Sequence, residues 1–279
     1  MGINFALSAA AGTDTGRLRD LNQDSVLAFV RPPEMGEPLG LFVVADGMGG
    51  HQAGEVASQL AVNTIREELA FMLEQDDSTA TVLIDSSNNE DNTGTESEAL
   101  AKRLKLAVED ANKAIFEYAQ SNPNTAGNLG CTVTCAIVSG NKLVIANVGD
   151  SRTYRMSGGV LSQLTSDHSY VWDLVQEGHI LSDEIYDHPH RNVITRALGS
   201  QEKVPVDLLS DKLEPGDRLL LCSDGVWEMI RDQSEIAELL QVDELETAVN
   251  QFVAKANYYG GTDNIGVVVV EFGQTPTSK

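Results

Sequence analysis

The stretch "VVADGMGGHQAGE", residues 43–55, decides how this chain is read. The segment "LGLFVVA" (39–45) is almost wholly apolar and ends at Asp46. Gly47, Gly49 and Gly50 follow, then His51, and a helix opens near Glu55. A carboxylate driven to the end of a buried strand amid glycines fits a phosphate cradle, a metal site or a plain tight turn. A phosphate-binding loop needs Lys and then Ser or Thr after its glycines, and here His51-Gln52 stands instead. The dinucleotide pattern starts at Gly47 and Gly49 but meets Gln52 where its third glycine belongs. Both nucleotide readings fail on residues; the metal site and the turn stay open.

The same arrangement recurs. Asp150 follows "LVIANVG", Asp224-Gly225 follows "RLLLCS", and Asp263-Asn264 stands directly before "IGVVVVEF". Apolar strands carry each carboxylate to the edge of a core, and glycine permits a sharp exit and close backbone approach. Taken singly, Asp-Gly is a common turn dipeptide. If the strands lie side by side, however, the carboxylates converge, repel one another and raise one another's pKa unless cations neutralise them. Hard oxygen donors without Cys or paired His favour Mg or Mn over Zn.

Outward from these strands, "CTVTCAIV" (131–138) and "KLVIANV" (142–148), joined through "SGN", form an antiparallel hairpin. Apolar residues return at helical spacing at Val56, Leu60, Ile65, Leu69 and Met72. They do so again at Leu100, Leu104, Val108, Ala111 and Ile115, and at Leu245, Val249, Phe252 and Ala256. Helices laid on antiparallel strands give an α+β layered sandwich. The acidic, Ser/Asn/Thr-rich stretch 75–98 has no Lys or Arg and reads as a solvated loop. Residues 165–203, with short helical pieces and "HPHRNVITRALG", read as an excursion from the sandwich. With no internal repeat or linker, residues 1–279 are expected to form one domain. Trp172 and Trp227 read as packing residues.

The 279 residues are 42% hydrophobic, enough for a sizeable core, and carry a formal net charge of −23. Such acidity repels nucleic acid and anionic membrane surfaces, so neither is an expected partner. Cys131, Cys135 and Cys222 lie in apolar runs without CxxC spacing, as buried thiols in a reducing compartment do. The start "MGINFALSAAAG" lacks a basic n-region, and Ala6 stands where a myristoylation motif needs Ser or Thr. No run approaches the roughly 20 apolar residues of a membrane span. A soluble, cytoplasmic protein is expected.

Eight stretches occur in order: "GRLRDLNQDS" (16–25), "VVADGMGGHQAGEVAS" (43–58), "GCTVTCAI" (130–137), "ANVGDSRTYR" (146–155), "LTSDHSYVWDLVQEG" (164–178), "HPHRNVITRALG" (188–199), "LLLCSDGVWEMI" (219–230) and "GGTDNIGVVVV" (260–269). Together they resemble the bacterial branch of the metal-dependent protein Ser/Thr phosphatases, the PPM or type 2C family. The resemblance implies a four-layer α/β/β/α sandwich of two mainly antiparallel sheets, with the excursion 165–203 as a flap beside the site. It implies two Mn2+ or Mg2+ ions, with Asp46 bridging them, the Gly47 carbonyl on one, and Asp224 and Asp263 completing the first. Asp150 with Asp224 matches a weaker third site. Asp24 resembles the acidic residue that hydrogen-bonds metal-bound water, and Arg19 the phosphate-binding arginine. Met48 stands where many animal and plant members carry a proton-donating His, which leaves His51 as the nearest candidate acid or, equally, a structural helix-start residue. Gln23 stands where some members have Glu. Arg191 and Arg196 lie in the flap as contacts for an acidic substrate or, for Arg196, as part of a structural ion pair. The implied activity is hydrolysis of phosphoserine and phosphothreonine on the protein targets of a Ser/Thr kinase, by a monomer. The alternative is an inactive relative that only binds phosphoprotein.

Overall fold

Along Leu39–Met48 the side chains alternate between two cores, and that alternation generates the architecture. Leu41, Val43 and Ala45 face one set of helices, whereas Phe42 and Val44 face a second sheet. The computed structural model describes residues 5–49, 53–74, 96–126 and 129–274. In chain order the strands are β1 (Phe5–Asp14), β2 (Asp24–Val30), β3 (Leu39–Met48), β4 (Gly130–Ser139), β5 (Lys142–Val148), β6 (Arg152–Ser157), β7 (Val160–Gln163), β8 (Asp207–Lys212), β9 (Asp217–Cys222) and β10 (Ile265–Gln274). The helices are α1 (Ala53–Glu74), α2 (Glu96–Ser121), α3 (Pro123–Ala126), α4 (Tyr170–Gln176), α5 (Asp224–Trp227), α6 (Gln233–Leu240) and α7 (Leu245–Tyr258), with short 3-10 turns at Pro33–Met35 and Glu184–Asp187.

One sheet has the order β1-β10-β9-β6-β7 and the other β2-β3-β4-β5-β8, with every pairing antiparallel. Helices α1 and α2 cover the second sheet through Ala57, Ala61, Ile65, Leu104, Val108 and Ile115. Helices α6 and α7 cover the first through Ile236, Leu240, Val249 and Phe252. Between the sheets lies a third core of Phe42, Val44, Ala136, Val138, Leu219, Leu221, Val268, Val270 and Phe272. The expected α/β/β/α sandwich is therefore the observed one. The hairpin of β4 and β5 pairs Ser139 with Lys142 across Gly140, whose φ of 59° is the left-handed conformation this turn needs.

Two details differ from the sequence reading. The buried stripe of α1 runs through Ala57, Ala61, Ile65, Leu69 and Leu73, while Val56, Leu60 and Met72 are only partly buried. Small residues at 57 and 61 let the helix approach the sheet closely, so the contact face is centred on alanines that periodicity weights lightly. Of the acidic stretch 75–98, residues 96–98 open α2, and the rest lies outside the described residues. Among the described residues, no helix is long and apolar enough to cross a membrane.

Candidate metal centre

Antiparallel pairing places Asp24, the first residue of β2, directly opposite Asp46 on β3. Asp46 does not follow its strand: β3 continues to Met48, and Asp46 also pairs with Thr132 on β4. Its side chain falls on the face of Phe42 and Val44, between the sheets. Asp224 opens α5 two residues after β9, Asp150 occupies the crossover between β5 and β6, and Asp263 stands two residues before β10. These strand ends meet at one edge of the sandwich.

The glycines beside the aspartates serve close approach. A Cβ on Gly47 would lie 1.9 Å from the carbonyl oxygen of Gly54, and one on Gly225 1.9 Å from that of Asn264. Gly47 lies in a strand and Gly225 in α5, so neither is the turn residue expected from the Asp-Gly dipeptide. Asn264 ties the site's loops together: its amide donates to the carbonyls of Thr15 and Leu21, and its oxygen accepts from the Gln23 backbone N–H.

Electrostatics show that the carboxylates share one environment. Burial, reinforced by the charges of Asp24, Asp224, Asp150 and Asp263, pushes Asp46 well above the usual carboxylate range. Burial raises Asp24 to about 7, although the Ser223 hydroxyl, donating to Asp24 Oδ2 at 2.6 Å, works the other way. Burial also raises Asp150 to about 7, with Asp167 adding to the rise. Asp224 is pushed well up by burial and then by Asp150, Asp263 and Glu228. Oδ1 of Asp24, of Asp150 and of Asp224 is buried without a hydrogen-bond partner. An unpartnered buried acceptor is costly, and a cation is the natural complement to several of them together. Among the described residues, no three His, Cys, Asp or Glu side chains already form a group that could hold an ion. The fit to a hard divalent cation therefore rests on all-oxygen donors, their unmet valence and their mutual repulsion.

At the rim, Arg19 donates from Nη2 to Asp263 Oδ2 at 2.6 Å, with the arginine side chain about half exposed. His51 lies outside the described residues. Burial pushes the thiol of Cys135 up to about 12 and raises those of Cys131 and Cys222, so none is poised as a nucleophile. Arg196 donates to Asp207 Oδ1 at 2.7 Å and lies 3.1 Å from His168 Nε2, and Arg191 is 4.0 Å from Glu228.

Two groups escaped the sequence reading. Glu228, one turn beyond Asp224, adds its charge to both Asp224 and Asp150; its i,i+4 spacing on a helix was the available signal. Trp227 packs, as expected, but also donates from Nε1 to the Asp150 carbonyl at 3.0 Å. The Arg152 guanidinium lies 3.6 Å above the Trp227 ring and pairs with buried Asp167 at 2.6 Å. This support for Asp150 has no short sequence signature because its members are brought together only by the fold.

The α/β/β/α sandwich thus gathers these aspartates at one edge of its two sheets. Residues 12–254 match the family described as Protein phosphatase 2C, and the chain belongs to that family. It is 38% identical over 260 residues to a serine/threonine phosphatase, stp, of Listeria monocytogenes, covering 93% of each chain. The crystal structure of the Mycobacterium tuberculosis serine/threonine phosphatase PstP superposes with a TM-score of 0.77 at 36% identity, covering 95% of this chain and 98% of that one. The catalytic domain of PstP in complex with two manganese ions gives 0.76 at 34% identity, covering 97% and 100%.

Proposed function

We propose that this chain is a protein serine/threonine phosphatase that hydrolyses phosphoserine and phosphothreonine with Mn2+ or Mg2+ bound at the aspartate cluster. In this reading Asp46, the Gly47 carbonyl, Asp224 and Asp263 would hold two ions, and Asp150 with Asp224 a weaker third. The observation that carries it is the set of buried, unpartnered carboxylate oxygens on Asp24, Asp150 and Asp224 around Asp46. When bound, the ions supply Lewis acidity and make water a competent nucleophile at neutral pH. Asp24, fixed by the Ser223 hydroxyl, is placed to accept a hydrogen bond or a proton inside the cluster. Arg19 keeps guanidinium donors beyond the one given to Asp263, and these clamp the phosphoryl oxygens as charge develops. Residues 165–203 form the flap of a single domain. The protein acts in the cytoplasm as a monomer, in signalling that opposes a Ser/Thr kinase. His51 remains a candidate acid for the leaving alkoxide.

The test is hydrolysis of p-nitrophenyl phosphate and a phosphothreonine peptide by metal-stripped protein given Mn2+, Mg2+, Ca2+ or EDTA, alongside Asp224→Ala. Activity restored by Mn2+ or Mg2+ and lost in the variant is expected. Folded protein that binds Mn2+ yet turns over neither substrate would favour the inactive phosphoprotein-binding reading.

A further inference from the structure

Resting on the reading of Asp46 and Asp150 as metal ligands, we propose that the buried hydroxyl pair Thr132–Ser151 is a positioning device. It fixes the Asp150 crossover against the strand beside Asp46 and so sets the affinity of the cation that Asp150 helps to hold.

The two carboxylates are held differently. Asp46 lies on β3, while Asp150 occupies the crossover that carries the chain from β5 to β6 on the opposite sheet. The ladder of β3, β4 and β5 reaches only as far as Val148, paired with Val133, so the last step to Asp150 is set by side chains and loop hydrogen bonds. Thr132 is the β4 partner of Asp46, and by alternation it lies on the same inter-sheet face, two residues before Thr134 and four before Ala136. Its Oγ1 is 2.8 Å from Oγ of Ser151, and both residues are fully buried. Thr132 also abuts the other side of Asp150: Gly149 has φ 108°, and a Cβ there would lie 2.4 Å from Thr132 Cβ. Thr132 therefore grips the crossover at the residues directly before and after Asp150.

The other supports reach the crossover from elsewhere. Trp227 comes from the helix opened by Asp224 and binds the Asp150 carbonyl. His168 exchanges hydrogen bonds with Gly149, accepting its N–H at Nδ1 and donating its own backbone N–H to its carbonyl. Thr132 is the support that comes from the strand paired with Asp46.

The fold also provides an internal control. Thr134 Oγ1 and Thr153 Oγ1 form a second buried pair at 2.7 Å, with the same chemistry, one strand repeat farther from the carboxylates. If the hydroxyls served only to satisfy one another between the sheets, the two pairs would be equivalent. Positioning predicts that they are not. Removing a hydroxyl at 132 leaves its Ser151 partner unsatisfied and loosens the crossover on that side of Asp150, whereas the same change at 134 leaves Asp150 gripped.

The experiment is calorimetric Mn2+ titration and thermal melting of the metal-stripped full chain for Thr132→Val, Thr132→Ser, Ser151→Ala, Thr134→Val and the reference Asp150→Ala. Asp150→Ala should abolish the weakest Mn2+ binding event. Thr132→Val and Ser151→Ala should weaken that event on the order of 10-fold, the low end for groups that orient metal ligands. Thr132→Ser should restore it, and Thr134→Val should lower the melting temperature comparably with no change in binding. Equal binding changes in Thr132→Val and Thr134→Val, or none in Thr132→Val and Ser151→Ala while Asp150→Ala acts, overturn the positioning role alone. A neutral Asp150→Ala overturns the ligand reading and this inference with it. Should Thr132→Val not fold, Ser151→Ala breaks the same bond from the other side.

Discussion

The layer between the two sheets has two ends built from the same strands. At one end Phe42, Ala136, Val138, Leu219, Val270 and Phe272 pack without polar atoms in their side chains. At the other, along the same strands and just past their ends, stand Asp24, Asp46, Thr132, Ser151 and Ser223. Alternation is unbroken from one end to the other; only the chemistry of the inward residue changes. The apolar end contributes folding free energy through buried area. The polar end spends part of it, holding carboxylates whose ionised forms burial disfavours. The difference supports the proposed metal site, because such a concentration of unmet acceptors persists where a ligand completes it.

The contrast can be broken most forcefully at its apolar end. Phe42→Ala should cost about 3–5 kcal/mol of unfolding free energy, read by denaturant titration, with the Mn2+ affinity of the remaining folded fraction unchanged. Asp224→Ala should do the reverse. Activity should fall about 10²–10³-fold, the scale on which lost electrostatic stabilisation is felt, while the metal-free protein melts no lower than wild type. A large drop in melting temperature would mean that Asp224 supports the fold and not just the site.

A smaller effect comes from pH. Asp24 and Asp150 are raised to about 7 in the fold, far above the roughly 3.9 of an unfolded aspartate. Their contribution to stability is complete below the unfolded value and is lost as pH rises through about 7. In EDTA the protein should therefore melt a few degrees higher at pH 6 than at pH 8, and saturating Mn2+ should remove that difference. Identical melting points in EDTA would refute the claim that the polar end is held at a cost. The smallest effect on stability should come from Arg19→Ala. An ion pair this exposed is worth within about 1 kcal/mol, yet kcat/KM for a phosphopeptide should fall clearly, separating rim chemistry from folding.

Much of this contrast was legible in the sequence. Asp46, Asp150, Asp224 and Asp263 each adjoin an apolar run, and those runs are strands β3, β5, β9 and β10 of the fold. What stayed hidden was cross-sheet geometry. That Asp46 lies within its strand, opposite Asp24, follows from register, which no single segment encodes. β6 and β8 are polar and short, so alternation is weak there. The dual role of Trp227 and the contact of Thr132 with Ser151 depend on residues 77 and 19 positions apart in the chain. The glycines were recognised as special for close approach but also credited with turns that Gly47 and Gly225 do not make.

Strand β1 finds its partner within its sheet only in β10, pairing from Phe5 with Gln274 to Asp14 with Ile265. A ribosome makes these two strands at opposite ends of its work on this domain. At about 5–20 residues per second, the earliest segment must wait tens of seconds for the last before its sheet can close. Asp263, which Arg19 grips, emerges only just before that closing strand. Until β10 emerges, a nascent chain therefore has neither the partner of β1 nor the strand that positions Asp263.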